Sequence, residues 1–106
     1  MEKELLEYMK TIRRTIHTHP CLSGKEHETA AYLAAELQKL GYTPVPCAET
    51  GLYADLNTDP GKPWILFRAD IDALPVQEKT GLPFASENPG VMHACGHDTH
   101  TAMLLG

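Results

Sequence analysis

At 106 residues, 42% hydrophobic and 22% charged, the chain has the size and composition of one small soluble globular unit, or part of one, and not those of a disordered tail. Nine basic residues stand against fourteen acidic ones for a net charge of −5, and the basic residues are scattered, so neither nucleic acid nor an anionic membrane surface is an expected partner. The longest apolar runs, WILF and AAYLAAEL, are too short to span a bilayer, and the opening MEKELLEYMK has no signal-peptide core, which makes the cytoplasm the expected compartment.

Along the chain, Leu5, Met9, Ile12 and Ile16 recur at helical spacing, with Glu2, Glu4, Lys10 and Arg13 between them, and predict an amphipathic helix that stops before Pro20. Ser23 followed by Glu26 matches a capping box. Ala30, Leu33, Leu37 and Leu40 then mark one face of a second helix, closed by Gly41. YTPVPC reads as a Pro-broken edge strand, GLYADLN as a half-buried strand, and TDPGKP as a turn. WILFRAD is apolar up to Phe67 and then charged, the pattern of a central buried strand whose carboxyl end emerges at Arg68 to Asp70, where open α/β sheets hold ligands. ALPVQEKTGLPFASENPG, with three prolines and two glycines, predicts a long loop. Asp98 is placed to cap a final helix through Ala102, Met103 and Leu105. So small a sheet would struggle to cover both faces of WILF, so the expectation is a chain cut from a larger α/β protein.

The loop leads into VMHACGHDTH, where three His, one Cys and one Asp fall within ten residues. Divalent transition metals bind thiolate, imidazole and carboxylate, and a catalytic ion takes three protein ligands and leaves a position for water. In an extended segment His93, Cys95 and His97 would project to one side, and with a helix starting near Asp98, His97 and His100 would share a face. Cys95 and His97 form the best pair, with Gly96 letting the backbone bend between them. Asp70 or Asp72 would add a ligand, or an acceptor that fixes the His97 tautomer. Singly, each His is better read as a solvated or hydrogen-bonded residue and the Cys as a small hydrophobe; their clustering favours a metal. A Cys/His nucleophilic dyad is the rival chemistry, but such a pair usually comes from distant chain segments and needs an orienting third group. Three cysteines at wide, unpatterned spacing (Cys21, Cys47 and Cys95) do not suggest a disulfide framework.

Taken together, FRADIDALPVQE and MHACGHDTHTAMLLG closely resemble the metal-dependent amidohydrolases of the aminoacylase and carboxypeptidase-G type, in the branch of hippurate hydrolases, N-acetyl-amino-acid deacetylases and auxin-conjugate hydrolases. RRTIHTHPCLSGKE is similar to that branch's R-R-x-x-H-x-x-P-E-x-x-x-x-E element, with Cys21 in place of the acidic residue after Pro20. The resemblance implies an α/β fold, with residues 1–106 as the amino-terminal part of a zinc-exopeptidase-like, three-layer catalytic domain built on a mixed sheet flanked by helices. It implies Cys95 and His97 as two metal ligands and Asp70 as the acid that steadies a ligand His. Asp72, Glu78, His93, Asp98 and His100 fall inside the matching motifs without an assigned role. Two divalent ions per complete site are implied, zinc or manganese, with cobalt or nickel as alternatives. The substrates would be N-acyl amino acids or small amide conjugates, and the parent a homo-oligomer. The family's general-base Glu and remaining ligands would lie beyond Gly106, so this chain alone is expected to be inactive. The alternatives are a non-catalytic metal-binding module and a Cys-nucleophile enzyme.

Overall fold

The computed structural model describes residues 2–56 and 59–106. Helix α1 spans Glu2–Thr18, α2 His27–Lys39 and α3 His97–Leu105; strands β1 (Val45–Cys47) and β2 (Gly51–Tyr53) form an antiparallel hairpin in the register Val45 to Tyr53 and Cys47 to Gly51. The chain is α/β, as expected, but among the described residues the mixed sheet is represented by this hairpin alone. The expected GLYADLN strand and TDPGKP turn run onto Asn57 and Thr58, which lie outside the described residues.

The helices follow their apolar spacing. Ile12 and Ile16 of α1 are each 2% exposed and meet Leu33 of α2 and Ala102 of α3 in the core, with Tyr8, Met9, Tyr32, Leu52, Ile71 and Leu105 packed around them. Burying each isoleucine side chain is worth about 1.5–3 kcal/mol. Glu36 is buried within α2 and is satisfied by the Tyr8 hydroxyl at 3.4 Å and the Lys39 ammonium at 3.0 Å. The end of α2 is a Schellman motif. Gly41, at φ +91°, donates to Gln38 O at 3.0 Å, and Tyr42 N–H donates to Leu37 O at 3.0 Å.

Both predicted helix starts differ from the expectation. The Ser23/Glu26 capping box does not form: α2 begins after Glu26 with no side-chain cap, and the Glu26 carboxylate accepts from the Thr50 hydroxyl at 3.3 Å instead. Asp98 does not cap α3 either. The cap position is Gly96, at φ +98°, and Asp98 lies inside the first turn with its side chain turned into the protein.

The larger correction concerns WILF. Trp64, Ile65, Leu66 and Phe67 are 60–88% exposed and form no strand. A continuous apolar run becomes a buried strand only where neighbouring strands take up its N–H and C=O groups and layers cover both faces. Among the described residues, the β1–β2 hairpin pairs only with itself. The chain is anchored just beyond the run: Asp70 O accepts from the Thr101 hydroxyl at 3.1 Å, Ala73 N–H donates to Cys21 O at 2.8 Å, and Leu74 bridges Met92.

Candidate metal centre

The tight bend expected at Gly96 is present, and it swings the chain from the Leu74–Met92 bridge into α3. A Cβ at Gly96 would lie 3.5 Å from the His100 ring, and the left-handed φ disfavours any side chain there. Cys95 is exposed as a free thiol, and His97 opens α3 half-buried. The His97 and His100 rings lie side by side, centroids 6.2 Å apart, as the spacing of three requires.

The expected common side for His93, Cys95 and His97 is not found. His93 points inward and is 4% exposed, while Cys95 faces out, because the bend after Ala94 breaks the alternation of an extended segment. Neither ring nitrogen of His93 has a hydrogen-bond partner. Burial pushes its imidazole below the ordinary value; Asp98 and Asp72 oppose the shift, and His17 and His97 reinforce it.

The carboxylate that meets His97 is Asp72, not Asp70. His97 Nδ1 lies 2.9 Å from both the carboxylate and the backbone oxygen of Asp72, so Nδ1–H donates and Nε2 is left with its lone pair free. The Asp70 carboxylate is nearly half exposed and pairs with Arg68. In an extended chain both carboxylates share one side, so local spacing does not separate them.

Behind α3 lies a buried cluster of charge that sequence reasoning did not assemble. Asp98 is 1% exposed, and its Oδ2 accepts from Arg13 Nε at 2.9 Å and from His17 Nδ1 at 2.8 Å. The other ring nitrogen, His17 Nε2, faces Glu78 Oε1 at 2.9 Å. Both nitrogens thus face carboxylates, and an imidazolium donating from each satisfies the two bonds together. Two cations and two anions then balance. Glu78 also accepts from Ser86 N–H at 2.9 Å and from the Thr80 hydroxyl, so the long loop, expected from its prolines and glycines, folds around this carboxylate.

Burial alone would raise both carboxyl groups. For Asp98 the bonds from His17 and the Thr99 backbone N–H, with the Arg13 charge, outweigh burial and hold the group below the ordinary carboxylate value. For Glu78, Thr80, Ser86 and His17 do the same. The signal for this cluster was Arg13 and His17, four apart on the face of α1 that also carries Ile16. Their partners lie 61 to 85 residues away, beyond the reach of any local pattern.

Residues 66–106 match the family model described as peptidase family M20/M25/M40. The N-acetyl-L-cysteine deacetylase of Bacillus subtilis is 50% identical over 107 residues, which take in the whole of this chain and 25% of that protein. The YXEP protein of Bacillus subtilis, described as a dinuclear metal-binding peptidase from the M20 family, superposes with a TM-score of 0.89 at 42% identity, over 97% of this chain and 30% of that one. Sequence and fold are those of the M20 family. The N-acyl-L-amino acid amidohydrolase of Geobacillus stearothermophilus, 46% identical over 110 residues, is covered to a similar extent, 98% of this chain and 30% of that relative. The M20-like chain thus spans between a quarter and a third of the length of these relatives.

As a metal centre the arrangement offers two donors, the Cys95 thiol and His97 Nε2, with Asp72 fixing the imidazole. Among the described residues, no group of three His, Cys, Asp or Glu side chains converges as an ion requires. The donor set fits half of a divalent-metal site. Of this set, His97 and its partner Asp72 line a groove of about 1200 Å³ whose walls also include Leu33, Trp64, Phe67 and Ile71.

Proposed function

We propose that this chain supplies part of the metal centre of an amidohydrolase acting on N-acyl amino acids or related small amides. In this reading Cys95 and His97 are ligands and Asp72 is the carboxylate that orients His97. The observation that carries it is the His97 contact: with Nδ1–H committed to Asp72, Nε2 is left as a lone-pair donor, two residues along the chain from an exposed thiol. The activities for which the relatives are named, deacetylation of N-acetyl-L-cysteine and hydrolysis of N-acyl-L-amino acids, support the substrate class. The dinuclear metal site ascribed to the structural neighbour supports divalent metal. Zinc or manganese is the proposed ion, with cobalt or nickel as substitutes.

An ion held there supplies Lewis acidity toward an amide carbonyl and makes water acidic enough to lose a proton near neutral pH. The chain's own contribution is to orient His97 through Asp72, to hold the thiol of Cys95 in reach, and to offer the apolar groove for an acyl group. Residues 1–106 are read as the amino-terminal part of a catalytic domain, with the further ligands and the general base outside them. A homo-oligomeric parent in the cytoplasm completes the proposal. Three free cysteines agree with that compartment, and no helix among the described residues is long and apolar enough to cross a membrane.

Cobalt titration tests the reading. A thiolate-to-cobalt charge-transfer band that disappears in Cys95→Ser is expected, with weak affinity because two ligands do not close a site. Absence of any Cys95-dependent band would sink the assignment. With N-acetyl- and N-benzoyl-amino acids and added zinc, manganese or cobalt, this chain alone is expected to turn over little or nothing. Robust turnover lost in Asp72→Ala would overturn that expectation.

A further inference from the structure

Both halves of the His97–Asp72 contact are tied to α1 and to the chain that leaves it. Asp72 precedes Ala73, whose N–H donates to Cys21 O at 2.8 Å, three residues past the end of α1. His97 precedes Asp98, whose buried carboxylate is held by Arg13 and His17 on the last two turns of α1. His17 is in turn fixed from its other side by Glu78, so its ring is gripped at both nitrogens.

From this we infer that Arg13, His17 and Asp98 are positioning residues: the Arg13–Asp98–His17–Glu78 chain sets the first turn of α3 against α1 and thereby aims His97 Nε2 at the metal position. The inference deepens the metal-centre reading and rests on it for its consequence, though the orientation it describes exists without metal. The geometry is selective. Thr101 also ties α3 to the Asp70 backbone, but from one turn further along, where a small rotation of the first turn would go uncorrected. Asp98 is adjacent to His97, and a side chain 1% exposed with two charged donors on one oxygen has no alternative rotamer to adopt without stranding Arg13 and His17. Changes in the groups that orient a ligand typically cost about 10- to 100-fold in metal affinity.

The test uses the full 106-residue chain, metal-free, near neutral pH. Nitrogen-15 correlation spectra of the His97 ring report its tautomer directly. Wild type should show Nδ1–H alone, and Asp98→Asn and His17→Gln should show a mixture of tautomers as the contact with Asp72 loosens. Ile12→Ala serves as the control, because it removes core packing between the same helices without touching the charged chain. At comparable loss of thermal stability it should leave the His97 tautomer unchanged. Should Asp98→Asn fail to fold, Arg13→Lys, which keeps the charge and loses the Nε donor, is read in the same way.

An unchanged tautomer in the folded network variants, or an equal change in Ile12→Ala, would overturn the inference. Cobalt titration of the same proteins separates the two layers of the argument. About tenfold weaker binding in the network variants than in Ile12→Ala is expected, and equal affinities would reject the positioning role. Absence of the Cys95 band in wild type would reject the metal reading while the tautomer data still judge the orientation.

Discussion

The two faces of this molecule reverse the usual assignment of polar and apolar residues. On the α1–α3 side, His17, Asp98 and the Glu78 carboxylate are almost fully excluded from solvent, while Ile65, Leu66 and Phe67 across the groove are 73–88% exposed. Hydropathy fails at both places for one reason: burial depends on partners. Every charge in the Arg13–Asp98–His17–Glu78 chain finds a counter-charge within 2.9 Å, which offsets its desolvation. The apolar run finds neither strand neighbours nor a covering layer among the described residues, and it stays in water.

If the charged side is held by mutual satisfaction, removing one member should cost more than any other single change. Asp98→Ala strips Arg13 of its anion and leaves His17 Nδ1 without an acceptor, with Glu78 holding the other ring nitrogen alone, and a loss of about 3–5 kcal/mol is expected by denaturant unfolding. A loss below about 1 kcal/mol would show that water reaches the cluster and that its burial carries little energy.

Acid provides the second way to break the comparison. Glu78 has its carboxyl held below the ordinary value of 4.5, so the unfolded chain binds a proton in a pH range where the folded chain does not. The stability from this group is fully present above that value and is lost as pH falls through the lower, folded one. Denaturant midpoints measured between neutral pH and about pH 3 should therefore fall less steeply in Glu78→Gln than in wild type. Identical acid limbs would remove Glu78 from the account.

The elements that local periodicity controls were legible in the sequence: both long helices, the Gly41 stop, the Val45–Cys47 edge strand and the bend at Gly96. Spacing also brought Cys95, His97 and His100 into one neighbourhood, and chemistry named Asp72 beside Asp70 as an acceptor for His97. Long-range partnership was not legible. Which of two carboxylates two residues apart meets His97 depends on a segment 25 residues away. Asp98 looked like a helix cap because a carboxylate near a helix start is usually one. Only the fold brings Arg13 and His17 to it. WILF was misread for the same reason, since a run of apolar residues states a need for neighbours and not their presence. Ile16→Val is a modest check on the part that was legible: it deletes one methylene from a site 2% exposed and should cost about 0.5–1.5 kcal/mol, without effect on the His97 tautomer.

The smallest expected effect is the sharpest test of the apolar side. Leu66 is 88% exposed, so Leu66→Ser removes almost no buried surface and should alter unfolding stability by less than about 0.5 kcal/mol. The same change should weaken self-association, because a row of exposed apolar side chains on unpaired backbone is the kind of edge onto which a second chain adds. Sedimentation of wild type and variant over a range of concentrations reads that effect separately from folding. A large loss of stability with no change in association would mean that Leu66 is covered in solution, and the contrast between the two faces would then collapse. The opposite pair of results would establish that the molecule's stability resides in the α1–α3 side, where the proposed ligand His97 is also held.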